Sequence, residues 1–177
     1  MFDDGAGVAI SLATAAAIKA HVDRTGLAPR RTIRVVLWGA EEFGLIGGRA
    51  YAAAHAGENI VLAGESDAGA DRIFTTDSKV ATAGLPLLTE MASVLAPLGI
   101  DQARSNSAGG GPDVGPLAAT GVGVLDLGQD MTRYFDVHHT PDDTLDKVHR
   151  KQLDQNVAAW TAAIWLAATD DRPLRTK

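Results

Sequence analysis

Residues 32–44 read T-I-R-V-V-L-W-G-A-E-E-F-G. The run through Trp38 is short and apolar on nearly both faces, the pattern of a strand covered by helices on each side. It stops abruptly, and two adjacent glutamates, Glu41 and Glu42, follow. Two like charges side by side at the tip of a buried strand repel one another, so their placement calls for a chemical reason.

Outward from this stretch, helix and strand patterns alternate. Residues 6–25 carry Val8, Leu12, Ile18 and Val22 at helical spacing in an alanine-rich context, with Gly26 as the stop. Residues 45–56 read as a helix, 59–65 and 72–76 as strands, and 85–95 as a helix closing at Gly99. A further strand is expected at 121–127, and a terminal amphipathic helix at 151–168 carries Trp160 and Trp165. This alternation predicts an α/β fold with a mostly parallel sheet. The Gly/Pro-rich stretches 107–116 and 136–144 read as functional loops, not as linkers between domains.

Composition narrows the function classes. The 177 residues suit one domain; 16 Lys+Arg stand against 22 Asp+Glu for a net charge of −6. With no basic patch, nucleic acid is not the expected partner. Cysteine is absent, which removes disulfides, thiolate metal sites and a cysteine nucleophile. No apolar run approaches the roughly 20 residues of a membrane span, and acidic residues stand where a signal peptide would be basic, so no membrane partner is expected.

The chemistry-bearing residues gather at strand ends. Ligands in open α/β sheets bind outside the carboxyl ends of the strands. Glu41 and Glu42 follow one strand and Asp67 another; His138 and His139 lie in a loop after a third, and Asp3 and Asp4 precede the first helix. Carboxylates and imidazoles of this kind hold Zn²⁺ at about 2.0–2.2 Å, leaving a position open for water, and two metals about 3.5–4 Å apart need a bridging carboxylate. Of two neighbouring glutamates, one can then ligate while the other accepts a proton. Each residue alone has an ordinary reading: Asp3 and Asp4 as helix caps, Asp67 as a turn residue, the histidine pair as surface. Only a shared site explains why all four sets fall together. Two competing readings are open: a serine hydrolase using Ser66, in L-A-G-E-S-D-A-G, where Ala68 replaces the elbow glycine, and a protease-like domain that binds without catalysis.

The motifs F-D-D-G-A-G-V-A, W-G-A-E-E-F-G-L-I-G, E-S-D-A-G and Y-F-D-V-H-H-T-P-D-D-T, in this order over positions 2 to about 148, resemble the M28 metallopeptidases, in particular their plasma glutamate carboxypeptidase-like branch. The resemblance implies a three-layer αβα fold of zinc-exopeptidase type and a single partial catalytic domain over 1–177. It implies a pair of co-catalytic Zn²⁺ ions acting on a small peptide or dipeptide, and a secreted or periplasmic location. Asp3 would bridge the metals, Glu42 and His139 would ligate one and Asp67 the other, and Glu41 would be the general base. His138 falls where several members carry an oxyanion-stabilising tyrosine, and Asp113 lies in the pocket-lining loop as a substrate-contacting or supporting residue. The Asp3–Asp4 peptide is expected to be cis. A further ligand, in an H-x-D motif upstream of the D-D pair, has no counterpart, since none of the five histidines precedes Asp3. The chain is thus expected to be an N-terminally truncated domain with one incomplete metal site and reduced or absent turnover.

Overall fold

The computed structural model describes residues 2–102 and 105–177. Helix α1 (Gly7–Thr25) ends where Gly26 takes the left-handed conformation (φ 72°) and its N–H donates to Val22 O, the conformation a side chain would resist. Residues 3–25 are long and apolar enough to span a membrane by composition. Here Ile10, Thr14 and Ile18, each one turn apart, are buried, and the helix packs on α6 (Arg150–Thr169). Helix α2 (Ile46–Ala54) follows, and α3 (Leu85–Leu95) ends as expected, running through a 3₁₀ turn to left-handed Gly99.

The sheet has β1 (Leu62–Ala63), β2 (Ile73–Lys79), β3 (Asp101–Gln102) and β4 (Gly123–Gln129) in the order β1-β4-β2-β3. The β1–β4 and β2–β3 pairings are parallel, and β2–β4 is antiparallel, so the sheet is mixed, with two strands running each way. Strand alternation sends Leu125 and Leu127 to one face and Val124 to the other. On the first face, Ile10 of α1, Met91 of α3 and Trp160 of α6 close over Ile73 and Leu125. On the other, Ala52 of α2, Val122 and Leu117 of the short helix α4 (Gly115–Ala118) pack together. The result is the expected three-layer arrangement. One more turn of helix, α5 (Tyr134–Val137), leads into the histidine pair.

One element differs from its reading. Residues 32–38 form no strand: they run without turn or bend and take no backbone ladder partner among the described residues. Val35 and Leu37 are exposed. An apolar run becomes a strand only when another backbone satisfies its N–H and C=O groups, and pattern cannot supply that partner.

Candidate metal centre

Three separate parts of the chain bring the predicted residues together. The loop after 32–38 carries Glu41 and Glu42 to the start of α2. The turn before α1 carries Asp3 and Asp4, joined by a cis peptide as the resemblance implied. The loop after α5 carries His138 and His139. His139 Nε2 lies 2.6 Å from Glu42 Oε1 and 3.1 Å from Asp3 Oδ2, and His138 Nε2 lies 3.4 Å from the same Asp3 oxygen. One ligand atom from each of Asp3, His138 and His139 falls within a 4.8 Å cluster. The two imidazoles are stacked, with centroids 3.8 Å apart.

Backbone conformations at the site are unusual. The non-glycine residues with positive φ among those described are Ala40 (60°), Leu45 (59°) and His139 (57°). Two bracket the glutamate pair and the third is a candidate ligand. Left-handed φ at such residues is costly and concentrates where a site dictates geometry. Asp4 anchors the entrance to α1 by accepting the Gly7 N–H at 3.0 Å, and Asp143 accepts the Asp3 N–H at 3.2 Å.

Electrostatics tie in Asp67 and Glu41. Burial, then the nearby Asp3, Glu41 and Asp113, push the Asp67 carboxyl up to about 6. Glu41 is raised by burial and then by Glu42, Asp113 and Asp3, with His139 opposing. Burial, followed by Asp67, lifts Asp4 to about 7. Hydrogen bonding to Glu42, ahead of the charges of Glu42 and Asp3, holds His139 above the usual imidazole value. Acidic groups packed this closely resist ionising together unless a cation is supplied. Oxygen and imidazole donors without sulfur match the preferences of Zn²⁺, and the residues present therefore fit such an ion.

Asp113 is buried in the 109–114 loop; burial raises its carboxyl, with the Gly48 N–H at the start of α2 opposing. Ser66 Oγ is buried without a hydrogen-bond partner among the described residues; lacking a base beside it, the serine hydrolase reading loses its nucleophile.

Three contributors escaped the sequence reading. Glu65, raised by burial to about 8, accepts the Val114 N–H at 2.8 Å and ties the 109–114 loop to the end of β1. Tyr134 is buried, donates its OH to the Asp67 carbonyl at 3.2 Å, and supports the His138 ring at 4.7 Å. Its position one helical turn before His138 was the available signal. Asn156 reaches the same loop from α6 through Asp71 O at 2.9 Å and Gln129; nothing in a helix-interior asparagine advertises that.

Comparisons with known proteins bear on this site. The model of peptidase family M28 matches residues 1–164. Human carboxypeptidase Q is 36% identical over 171 residues, covering 94% of this chain and 34% of its own length. The mouse carboxypeptidase Q is 33% identical over 177 residues, covering 97% and 36%. The chain thus spans about a third of the curated relatives it matches. A peptidase M28 precursor from Shewanella amazonensis superposes with a TM-score of 0.90 at 46% identity, over 98% of this chain and 39% of that one. Legionella LapA shares the fold at a TM-score of 0.68 and 17% identity, over 96% and 48%.

Proposed function

The chain belongs to peptidase family M28, and from that membership we propose that it provides the catalytic unit of a metal-dependent exopeptidase acting on small peptides. The observation that carries the proposal is the meeting of Asp3 with His138 and His139 at one cluster of donor atoms, with Glu42 against His139, three parts of the chain far apart in sequence. Asp3, Glu42 and His139 would hold one Zn²⁺, and Asp3 with Asp67 the second. Such ions, when bound, polarise the scissile carbonyl and neutralise developing negative charge.

The remaining work belongs to the side chains. Glu41, adjacent to ligand Glu42 yet free of its own ion pair among the described residues, takes the proton of the attacking water and returns it to the leaving amine. His138, held by its stack on His139 and by Tyr134, turns Nε2 toward Asp3 and the reacting centre, where an imidazole N–H stabilises an oxyanion. The acidic lining favours a substrate's α-ammonium over its α-carboxylate, which supports aminopeptidase or dipeptidase specificity. The name of the Shewanella relative, a precursor, supports an exported location. A non-catalytic binding role is the competing reading.

Replacing Glu41 by Gln is expected to lower kcat by about 10²–10⁴-fold with zinc stoichiometry unchanged. Wild-type turnover in that variant would remove Glu41 as the base. Zinc is expected to be lost on replacing Glu42 or His139; zinc retained in full by both variants would remove the metal-dependent reading and leave the binding role.

A further inference from the structure

A pair of side chains outside the cluster of candidate ligands joins the loop of residues 67–71 to helix α5. Asp71 closes the loop that Asp67 opens, and its carboxylate is buried, with the side chain 5% exposed. Arg133, the residue before the first turn of α5, meets it edge to edge. Its Nε donates to Asp71 Oδ2 at 3.0 Å and its Nη2 to Asp71 Oδ1 at 2.5 Å. Two parallel charge-assisted bonds fix direction as well as distance, which a single point charge does not. Ion pairs between fully exposed groups are worth little. Here the carboxylate is out of solvent and depends on the guanidinium for its countercharge.

The two ends of this link are held unequally. On the loop side, Asn156 Nδ2 donates to Asp71 O at 2.9 Å and Gln129 Nε2 to Gly69 O at 2.6 Å, so the loop is tied to α6 and β4 independently of Arg133. On the other side stands α5, only four residues long, its turn closed by the His138 N–H on Tyr134 O. One turn of helix does not persist alone, because nucleation costs more than a single hydrogen bond returns. Contacts outside α5 must therefore hold it. Tyr134 supplies one, through the Asp67 carbonyl and an apolar cluster with Ala6 and Ala70. Arg133 supplies another, through Asp71. The turn that delivers Arg133 is itself braced: Asp130 Oδ1 accepts from Thr132 N–H at 2.9 Å and from Thr132 Oγ1 at 2.5 Å, and Asp130 N–H donates to Arg72 O at 2.9 Å.

We propose that Arg133 is a positioning residue: by locking onto buried Asp71 it anchors α5 to the 67–71 loop and sets where His138 and His139 stand relative to Asp67. The candidate metal centre draws its donors from both sides of this strut, so their spacing depends on it. The expected signature is one-sided. Because the loop keeps its ties to α6 and β4, loss of Arg133 frees the histidines and leaves Asp67 where it is. The kinetic consequence rests on the peptidase reading; the structural consequence does not.

The test uses the whole 177-residue chain, metal-free and zinc-loaded. Arg133→Met alone strands the Asp71 carboxylate, so the main variant carries Asp71→Leu and Arg133→Met together, an exchange that folded proteins tolerate. Its Tm is expected to stay within about 3 °C of wild type. In the metal-free variant, amide exchange at His138 is expected to speed up about tenfold or more. The His138 ring protons, which lie against Tyr134 and His139, should move toward the shifts of an unstructured imidazole. The amides of Arg72 and Ile73, bonded to Gln152 and Gln155 of α6, should exchange as in wild type. Zinc affinity is expected to fall about tenfold, and kcat on an amino-acid amide at saturating zinc about tenfold or more, with KM within about twofold. Arg133→Lys keeps the charge without the two-pronged contact and should give the same changes in smaller degree. It carries the comparison if the double variant does not fold. Wild-type exchange and ring shifts at His138 in a folded variant would overturn the proposal, whatever the kinetics. So would equal acceleration at Arg72 and Ile73, which would make the pair a general brace. Freed histidines beside a wild-type chain without turnover would uphold the strut and count against the peptidase reading.

Discussion

Gly7 stands where the first turn of α1 meets the candidate metal centre. A Cβ there would lie 1.8 Å from the Ser66 carbonyl oxygen and 2.2 Å from Asp4 Oδ1, a clash with backbone that cannot swing aside. The opposite expectation would come from propensity alone, because alanine is the better helix former by about 1 kcal/mol. Sterics win. Gly7→Ala is expected to destabilise by about 3 kcal/mol, lowering Tm by about 10 °C, and to weaken zinc binding by displacing Asp4. Gly57, whose Cβ would meet nothing within 4 Å, is the control, and Gly57→Ala should leave Tm within about 2 °C. Equal melting of the two variants would show that α1 can slide and that its start does not fix the site. At this scale the sequence was readable wherever chemistry left a signature: paired glutamates, paired histidines, an aspartate after a strand. It was unreadable where one residue acts through tertiary distance. Glu65 looks like a strand-end charge until the 109–114 loop folds over it, and Gly7 looks like an ordinary residue at the start of a helix.

Among the elements, α6 does more than cover the sheet. Asn156, fully buried, donates from Nδ2 to Asp71 O and Gln152 O, and its Oδ1 accepts from Gln129 Nε2, which also reaches Gly69 O at 2.6 Å. One side chain thus pins the loop of residues 67–71 to both α6 and β4. Removing it leaves several buried groups unpaired, each costing about 1–3 kcal/mol. Asn156→Ala is expected to cost about 3 kcal/mol in urea unfolding and to loosen the site bearing Asp67 more than the site bearing His139. Zinc titration would read this as a weakened second binding step with the first intact; both steps weakened equally would mean a general loss of order instead. Helices α1, α2, α3 and α6 were legible in the sequence to within a residue or two, because 3.6-residue periodicity is local, whereas the single turns α4 and α5 were not. The strands were less so. The predicted 121–127 and 72–76 fall two to three residues short of the ends of β4 and β2, and β3, two exposed polar residues, had no pattern to read. Residues 32–38 fail for the physical reason already met: a ladder needs a second backbone.

For the whole molecule, the carboxylate cluster makes stability a function of pH and metal together. Asp67, Asp4 and Glu65 are raised to about 6, 7 and 8, so between the ordinary carboxylate range and these values the folded chain binds more protons than the unfolded one. Linkage then gives the sign: their contribution is present at low pH and is lost as pH rises through about 6–8. His139, also raised, acts in the same direction. Asp170 and Glu90, lowered chiefly by hydrogen bonds to Arg172, act oppositely, but only below the usual carboxylate range. The windows do not overlap. The metal-free chain is therefore expected to melt lower at about pH 8.5 than at about pH 5.5, by at least several degrees. Zinc, binding the ionised cluster of the folded state alone, should raise Tm more at the higher pH. Differential scanning calorimetry with and without chelator decides the matter. A metal-free Tm that rises between those pH values would mean that Asp67, Asp4 and Glu65 are not buried in the folded chain as carboxyls that resist ionising, and the coupling of stability to pH and metal would fall with it.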